Sequence, residues 1–301
     1  MNLIDVVVLG DLNIDLIIRV EGNLLEDSSI ISRQAILSPG GVGANIASNL
    51  AYMGYRVRVL GAVGRDVFGT YILEELKKRG IDVAHIQLVD NILTGFMVVL
   101  VGQHGNKTII GSRGANQYFK LDDETVKEVI QDTRHLHVSG YAALNVDGGE
   151  TLLKLLVNAK KNGKSTSIDL EGIALYKREF IDKLKGIVDY VFLNRIEAEH
   201  LCTENEAVKC SIKILEKIKP KTLFLKMGDK GSKVISYSGN EIVVDDVEAY
   251  KPTKIIDTTG AGDAYNATVI AYLIKGESPL EAARKGSIAG AKACERISGF
   301  V

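Results

Sequence analysis

Asp257-Thr258-Thr259-Gly260-Ala261-Gly262-Asp263 stands between a polar loop and the apolar run from Ala264 to Ile274. Two glycines and an alanine at that junction predict the opening of a helix. The first N–H groups of a helix have no partner within it, and the positive end of the helix dipole lies behind them, so such an opening is a ready site for an anion. Asp263 falls in the first turn. Beside a hole that holds a transferring phosphoryl group, a carboxylate there can accept the proton of the attacking hydroxyl. The plainer reading is an aspartate that only steadies the helix dipole.

Upstream, Ile4 to Gly10 is a short β-branched run ending in glycine, the pattern of a buried strand. Strands follow at Val57 to Val63, His135 to Ser139, Ser165 to Asp169, Val188 to Leu193 and Thr222 to Met227. Helices intervene at Phe68 to Arg79, Gly149 to Lys161 and Lys209 to Lys217. Helices alternating with such strands imply an α/β fold with a mostly parallel sheet and right-handed crossovers. Two segments break the alternation. Leu16 to Leu37, with a polar turn around Glu26 to Ser29, reads as an antiparallel pair, and so do Thr94 to Val101 and Lys107 to Ile110 about the turn Gly102 to Asn106. Together they predict a small β-sheet lid, with strands inserted at about 12–37 and 92–113 of a single domain over 1–301. A lid that excludes water keeps a kinase from hydrolysing ATP.

Composition excludes several classes. A net charge of -1 with 25% charged residues gives no basic field, so nucleic acid is not an expected partner. Cys202, Cys210 and Cys294 suit neither a disulfide framework nor a zinc site and read as reduced thiols. No apolar run approaches the roughly 18 residues of a membrane span, and the N-terminus has no basic leader. A soluble, cytoplasmic chain is expected.

Polar residues just past the carboxyl ends of strands stand where open α/β sheets bind ligands. Asn13 and Asp15, in Asp11-Leu12-Asn13-Ile14-Asp15, can donate to and accept from a polyol, or merely satisfy a loop. Pro39-Gly40-Gly41-Val42-Gly43-Ala44-Asn45 lets the backbone approach a ligand, with Asn45 on the first turn of a helix running to about Met53; tight packing alone is the other reading. This segment has neither the Lys-Ser/Thr end of a Walker A loop nor the last small residue of a dinucleotide fingerprint. Arg113 can bind a phosphate or carboxylate, or be solvated. Asn194 and Glu197 open a helix and suit either an ordinary cap or a Mg2+ held through water with nucleotide phosphates. Lys226, Gly228 and Gly231 offer a lysine and amides to phosphates, or form a simple turn before the strand Lys233 to Tyr237. His135 and His137 share a strand face, more in the manner of core residues than of metal ligands.

These segments, in this order, resemble the ribokinase family of sugar kinases, the phosphofructokinase-B type. The resemblance covers nearly the whole chain, and Gly40 to Asn45 and Asp257 to Tyr265 carry most of it, with Gly61 to Asp66 and Gly114-Ala115-Asn116 in support. It implies a three-layer α/β/α fold and an ATP-dependent phosphotransferase acting on a hydroxymethyl group of a sugar or nucleoside. By the same resemblance Asp263 is the general base, and the amides of Gly260, Ala261 and Gly262 form the anion hole. Asn13, Asp15, Gly40, Gly41, Asn45 and Arg113 are the acceptor contacts. Asn194 and Glu197 organise Mg2+, while Lys226, Gly228, Gly231 and Ser287 belong to the nucleotide site. Asp257 and Thr259 match positions that bind a monovalent cation, K+, in several members.

Departures from the family pattern bear on the acceptor. Val42 replaces a lysine usual in ribokinases, Ser139-Gly140-Tyr141 replaces an acidic sugar contact, and Asp169-Leu170-Glu171-Gly172 lacks the Asn and Arg of ketodeoxygluconate kinases. Thr268 stands for a common glycine and Ser287 for an adenine-pocket asparagine. A ribose-like, fructose-like or sugar-acid acceptor is expected, with a nucleoside kinase as the alternative and a non-catalytic sugar sensor as the reading from another class. Apolar residues on the lid faces predict a lid-to-lid homodimer.

Overall fold

Val6 and Val8 turn to one side of the first strand and Val7 and Leu9 to the other, and all four are buried. A strand hidden on both faces needs a layer of helices on each. The computed structural model, which describes residues 3–20, 29–102, 107–202 and 206–301, has that arrangement. The strands are β1 (Ile4–Leu9), β2 (Asn13–Arg19), β3 (Ala35–Gly40), β4 (Val57–Gly64), β5 (Ile86–Val89), β6 (Gly95–Val101) and β7 (Lys107–Ser112). They continue with β8 (Thr133–Ser139), β9 (Ser165–Asp169), β10 (Tyr190–Asn194), β11 (Thr222–Lys226), β12 (Ser232–Ser238) and β13 (Glu241–Val247).

The central sheet has the order β13-β12-β11-β10-β9-β8-β1-β4-β5, parallel except for the antiparallel edge pair β12 and β13. On one face lie α1 (Val42–Tyr52), α2 (Val67–Lys78), α8 (Ala261–Ile274) and α9 (Pro279–Ala293), which bury Ile46, Leu50, Ile72, Ile270 and Ala283 against Val8, Val59 and Phe192. On the other lie α3 (Asp123–Gln131), α4 (Glu150–Lys161), α5 (Glu171–Tyr176), α6 (Arg195–Leu201) and α7 (Ala207–Ile218), with Ile130, Leu155, Ile173 and Leu215 packed on Val7, Leu136 and Leu193. Each fully buried Leu or Phe contributes about 1.5–3 kcal/mol, so the two cores hold the strand ends in register.

The lid is a separate four-stranded sheet, β3-β2-β6-β7, with its own small core of Ile17, Val99 and Val101. Two antiparallel pairs meet through the parallel pair β2 and β6. Asp66 locks the entry to the second pair: it caps α2 through Gly69 N–H and accepts Thr94 N–H and Oγ–H at 2.8 Å each. Burial would raise its pKa, but these hydrogen bonds outweigh it and hold the carboxyl low.

Boundaries differ from the expected ones in one instructive place. The second lid strand, expected to end at Leu37, runs on through Pro39 to Gly40, because β3 is an edge strand and a proline costs no ladder bond on its open side. The predicted turns over Glu26 to Ser29 and Gly102 to Asn106 lie largely outside the described residues.

Candidate active site

Gly260 caps α8 with φ 76°, in the left-handed region that favours glycine. A Cβ there would also collide with the Cα of Gly299, so the loop opening α8 packs directly on the end of the chain. Ala261, Gly262 and Asp263 form the first turn, as expected. Gly41, also at positive φ (82°) but with an extended ψ of 149°, caps α1 and puts Asn45 on its first turn. The two helix starts face each other: Asn45 Nδ2–H donates to Asp263 Oδ2 at 2.7 Å. Burial raises the pKa of Asp263, while Asn45 and Lys226 oppose that.

Asp15 reaches this junction from β2. It pairs in register with Ser38, and Asn13 with Gly40; a side chain at Gly40 would strike the Asp15 carboxylate. Asp15 is buried, and its Oδ1 has no partner among the described residues. Burial first, then the charges of Asp263 and Asp257, push its pKa up to about 7. Asn45 Oδ1 is likewise buried without a partner. Unpartnered buried acceptors mark where hydroxyl donors are missing.

Asn13 and Arg113 are committed elsewhere in part. Asn13 Oδ1 accepts from Asn116 Nδ2 at 2.9 Å, and Asn116 also braces the Leu12 main chain. Arg113 makes a two-pronged bond to Asp11 at 2.7 Å on each prong and a third to Asn145 at 2.9 Å, beside the Tyr141 ring. Its carboxylate partner is thus internal, and only Nη1 is left buried and unpartnered.

On the other side of Asp263 the strand ends carry charge. Lys226, at the end of β11, bonds Asp169 at the end of β9 and Asn266 on α8. A Cβ on Gly262 would stand 3.6 Å from Lys226 Nζ, which places the ammonium at the mouth of the anion hole. Burial would lower its pKa, but Asp169 and Glu197 outweigh this and keep it charged. Asn194 pairs in register with Lys226 and forms a reciprocal cap with Glu197, accepting Glu197 N–H while its own N–H groups bond the Glu197 carboxylate. Burial and Asp169 push Glu197 up to about 7. Glu171, held by Ser139 Oγ–H at 2.6 Å, is raised well above the usual range by burial, Asp169, Asp263 and Glu197.

This mutual repulsion, together with the unpartnered Asp169 Oδ1, fits a divalent cation nearby. No three metal-ligating side chains converge on one point among the described residues; a Mg2+ bound by Asn194 and Glu197, which cap each other, would be held through water. Beyond them, a cleft of about 320 Å³ is lined by Lys226, Gly228, Gly231, Tyr250, Ala261, Gly262, Ser287 and Cys294, among others. Its volume suits a small-molecule site.

The fold therefore gathers Asp15, Asn45 and Asp263 at one point and Lys226, Gly228, Gly231 and Ser287 around one cleft, with Ala261 and Gly262 between. Asp169, Glu171, Asn266, Tyr250 and Cys294 were not singled out as site residues from sequence. Asp169 carried a usable signal, since it ends a strand as Asn194 and Lys226 do; so did Asn266, three residues past Asp263 on the same helix face.

Residues 3–299 match the family described as pfkB family carbohydrate kinase. A nucleoside kinase of Methanothermobacter thermautotrophicus is 28% identical over 274 residues, covering 90% of this chain and 83% of the relative. A 2-dehydro-3-deoxygluconokinase of Bacillus subtilis is 27% identical, covering 83% and 79% respectively. The fold matches that of Arabidopsis thaliana ribokinase complexed with ribose and ATP, with a TM-score of 0.82, 24% identity, and 99% and 94% of the two chains covered.

Proposed function

The chain belongs to the pfkB family of carbohydrate kinases, and we propose that this phosphotransferase moves a phosphoryl group from ATP, with Mg2+, to the hydroxymethyl group of a neutral sugar of the ribose or fructose type. The contact between Asn45 and Asp263 carries the reading. It sets a carboxylate where a hydroxyl held by Asp15 and Asn45 would face a phosphate in the anion hole. Asp263 takes the hydroxyl proton, and the amides of Gly260, Ala261 and Gly262 take the charge that spreads over the phosphoryl oxygens. Lys226 adds a fixed positive charge at the mouth of the hole. Bound Mg2+ would neutralise the nucleotide phosphates; Asn194 and Glu197 orient its water shell. The lid excludes water from the acceptor side.

A neutral acceptor is favoured over a sugar acid because Arg113, the expected carboxylate binder, already holds Asp11. Its remaining Nη1–H suits a hydroxyl. A nucleoside acceptor is the second reading: the unpartnered atoms of Asp15 and Asn45 suit the vicinal hydroxyls of any ribose, and one relative is named a nucleoside kinase. A sensor without turnover would have no use for Asp263. Leu37 and Ile110, which share the lid face opposite its small core, are exposed, and we read them as the seam of a homodimer; a monomer in sedimentation at micromolar concentration would remove that reading. No helix among the described residues is long and apolar enough to cross a membrane, and dependence on ATP suits the cytoplasm.

A coupled ADP-release screen over ribose, fructose, ketodeoxygluconate, adenosine, cytidine and pseudouridine tests the assignment. Turnover with ribose or fructose is expected. Turnover with ketodeoxygluconate alone would overturn the neutral acceptor, and stabilisation by a sugar with no ADP from any acceptor would favour the sensor.

A further inference from the structure

Asp257 is 2% exposed, and its oxygens accept the main-chain N–H groups of Thr259 at 2.8 Å and Ser298 at 3.2 Å. Both partners are neutral, and a buried carboxylate calls for a positive charge close by. The family resemblance puts K+ in that role beside Asp257 and Thr259. Here two of the groups around that place have partners. The Cys294 carbonyl accepts the N–H groups of Ile256 and Asp257, and Thr259 Oγ1 has Lys107 Nζ 3.5 Å away.

Lys107 begins β7, an edge strand of the lid whose six residues are all exposed. Nothing in the lid's own packing requires a long side chain to fold back over the start of α8. Its ammonium eases the ionisation of Asp15, Asp263 and the Cys294 thiol, so its charge is felt on both sides of the anion hole. A cation at Thr259 Oγ1 would meet the Lys107 ammonium, 3.5 Å from that oxygen.

We propose that Lys107 supplies from the lid the positive charge beside Thr259, on the loop that buries Asp257, so that phosphoryl transfer by this chain needs no monovalent cation. Lys107 is then a positioning residue: it acts through Thr259 on the loop that shapes the anion hole. The inference rests on the phosphotransfer reading of the same site.

The test compares the wild-type chain with Lys107→Met and Lys107→Arg in KCl and NaCl at equal ionic strength, reading both melting temperature and ADP release. The wild type and Lys107→Arg should respond alike to the two salts. Lys107→Met should lose about tenfold to a hundredfold in kcat in NaCl, the scale of removing one polar group from such a hole, and recover most of it in KCl. Its melting temperature should rise in KCl over NaCl. A wild type activated or stabilised by K+ over Na+, or a Lys107→Met variant that keeps its full rate or gains nothing from K+, would overturn the proposal. Melting needs no turnover, so a wild type that releases no ADP with any acceptor would overturn the phosphotransfer reading and leave the lysine arm legible.

Discussion

Asn45 and Asp263 lie 218 positions apart, and a 2.7 Å hydrogen bond joins them across the first turns of α1 and α8. The bond keeps one carboxylate oxygen fixed while burial pushes the carboxyl toward protonation. Asp263→Asn should therefore lower kcat by about 10² to 10⁴-fold, the range for a positioned base, with acceptor affinity nearly unchanged. Asn45→Ala removes the hydrogen bond that favours the ionised form. Activity falls as pH drops through the pKa of Asp263, so the acid limb of the kcat/KM profile should move to higher pH. An Asp263→Asn enzyme with undiminished turnover would remove the base from the mechanism.

Asp15 sets a second pH dependence, of opposite sign for folding and binding. Its folded pKa of about 7 lies above its ordinary value of 3.8, so its contribution to stability is full below pH 4 and is lost as pH rises through 7. Asp15→Asn should accordingly raise the melting temperature at pH 8 and change it little at pH 4. The acceptor reverses the preference, because two hydroxyl donors favour the ionised carboxylate. Acceptor affinity, measured by calorimetry, should strengthen as pH rises through 7 in the wild type and stay flat in Asp15→Asn. A flat wild-type profile would place the acceptor away from Asp15.

His135 and His137 are fully buried on β8 and share Ser167 Oγ at 2.7 and 2.8 Å. Burial lowers both pKa values from 6.5 to about 3. Their contribution to stability is complete above pH 6.5 and is lost as pH falls from there toward 3, since the unfolded chain takes up protons first. Treated as independent, the pair costs up to about 4 kcal/mol at pH 5. Urea midpoints should fall steeply between pH 7 and 5, and a His135→Asn, His137→Asn double variant should fall less. Equal slopes would show that other groups govern the acid limb.

Much of this molecule was legible because its signals are local. The β-branched runs of β1 and β4, the apolar run of β11 and the glycine-led helix starts at Gly41 and Gly260 are each written within a few residues, and the structure keeps them. What was missed depends on partners far along the chain. β5 is a four-residue edge strand with no fully buried residue, and β13, on the opposite edge, buries only Val247 and carries Glu241, Asp245 and Asp246, so neither has the apolar run of a central strand. Arg113 reads alike in sequence whether it waits for a ligand or holds Asp11, 102 positions away. Lys107 gave no signal, because Thr259 lies 152 positions away along the chain. Asn194 and Glu197 take the ordinary capping form that was one of their two readings, and the register of β10 on β11 is what sets them beside Lys226.

Cys294 gives a direct probe of where the nucleotide sits. Its thiol donates to the Gly290 carbonyl at 3.4 Å, it lines the cleft with Gly228, Gly231 and Ser287, and burial raises its pKa. Alkylation by iodoacetamide should be slow at pH 7 and quicken as pH rises. ADP in the cleft competes with the reagent by mass action, so ADP at ten times its Kd should slow modification about tenfold. Cys202 is half-buried, lies outside this cleft and serves as the internal control, while Cys210 is buried and should stay unmodified. Peptide mapping by mass spectrometry separates the three. Equal Cys294 rates with and without ADP would put the nucleotide somewhere other than between Gly231 and Ala261.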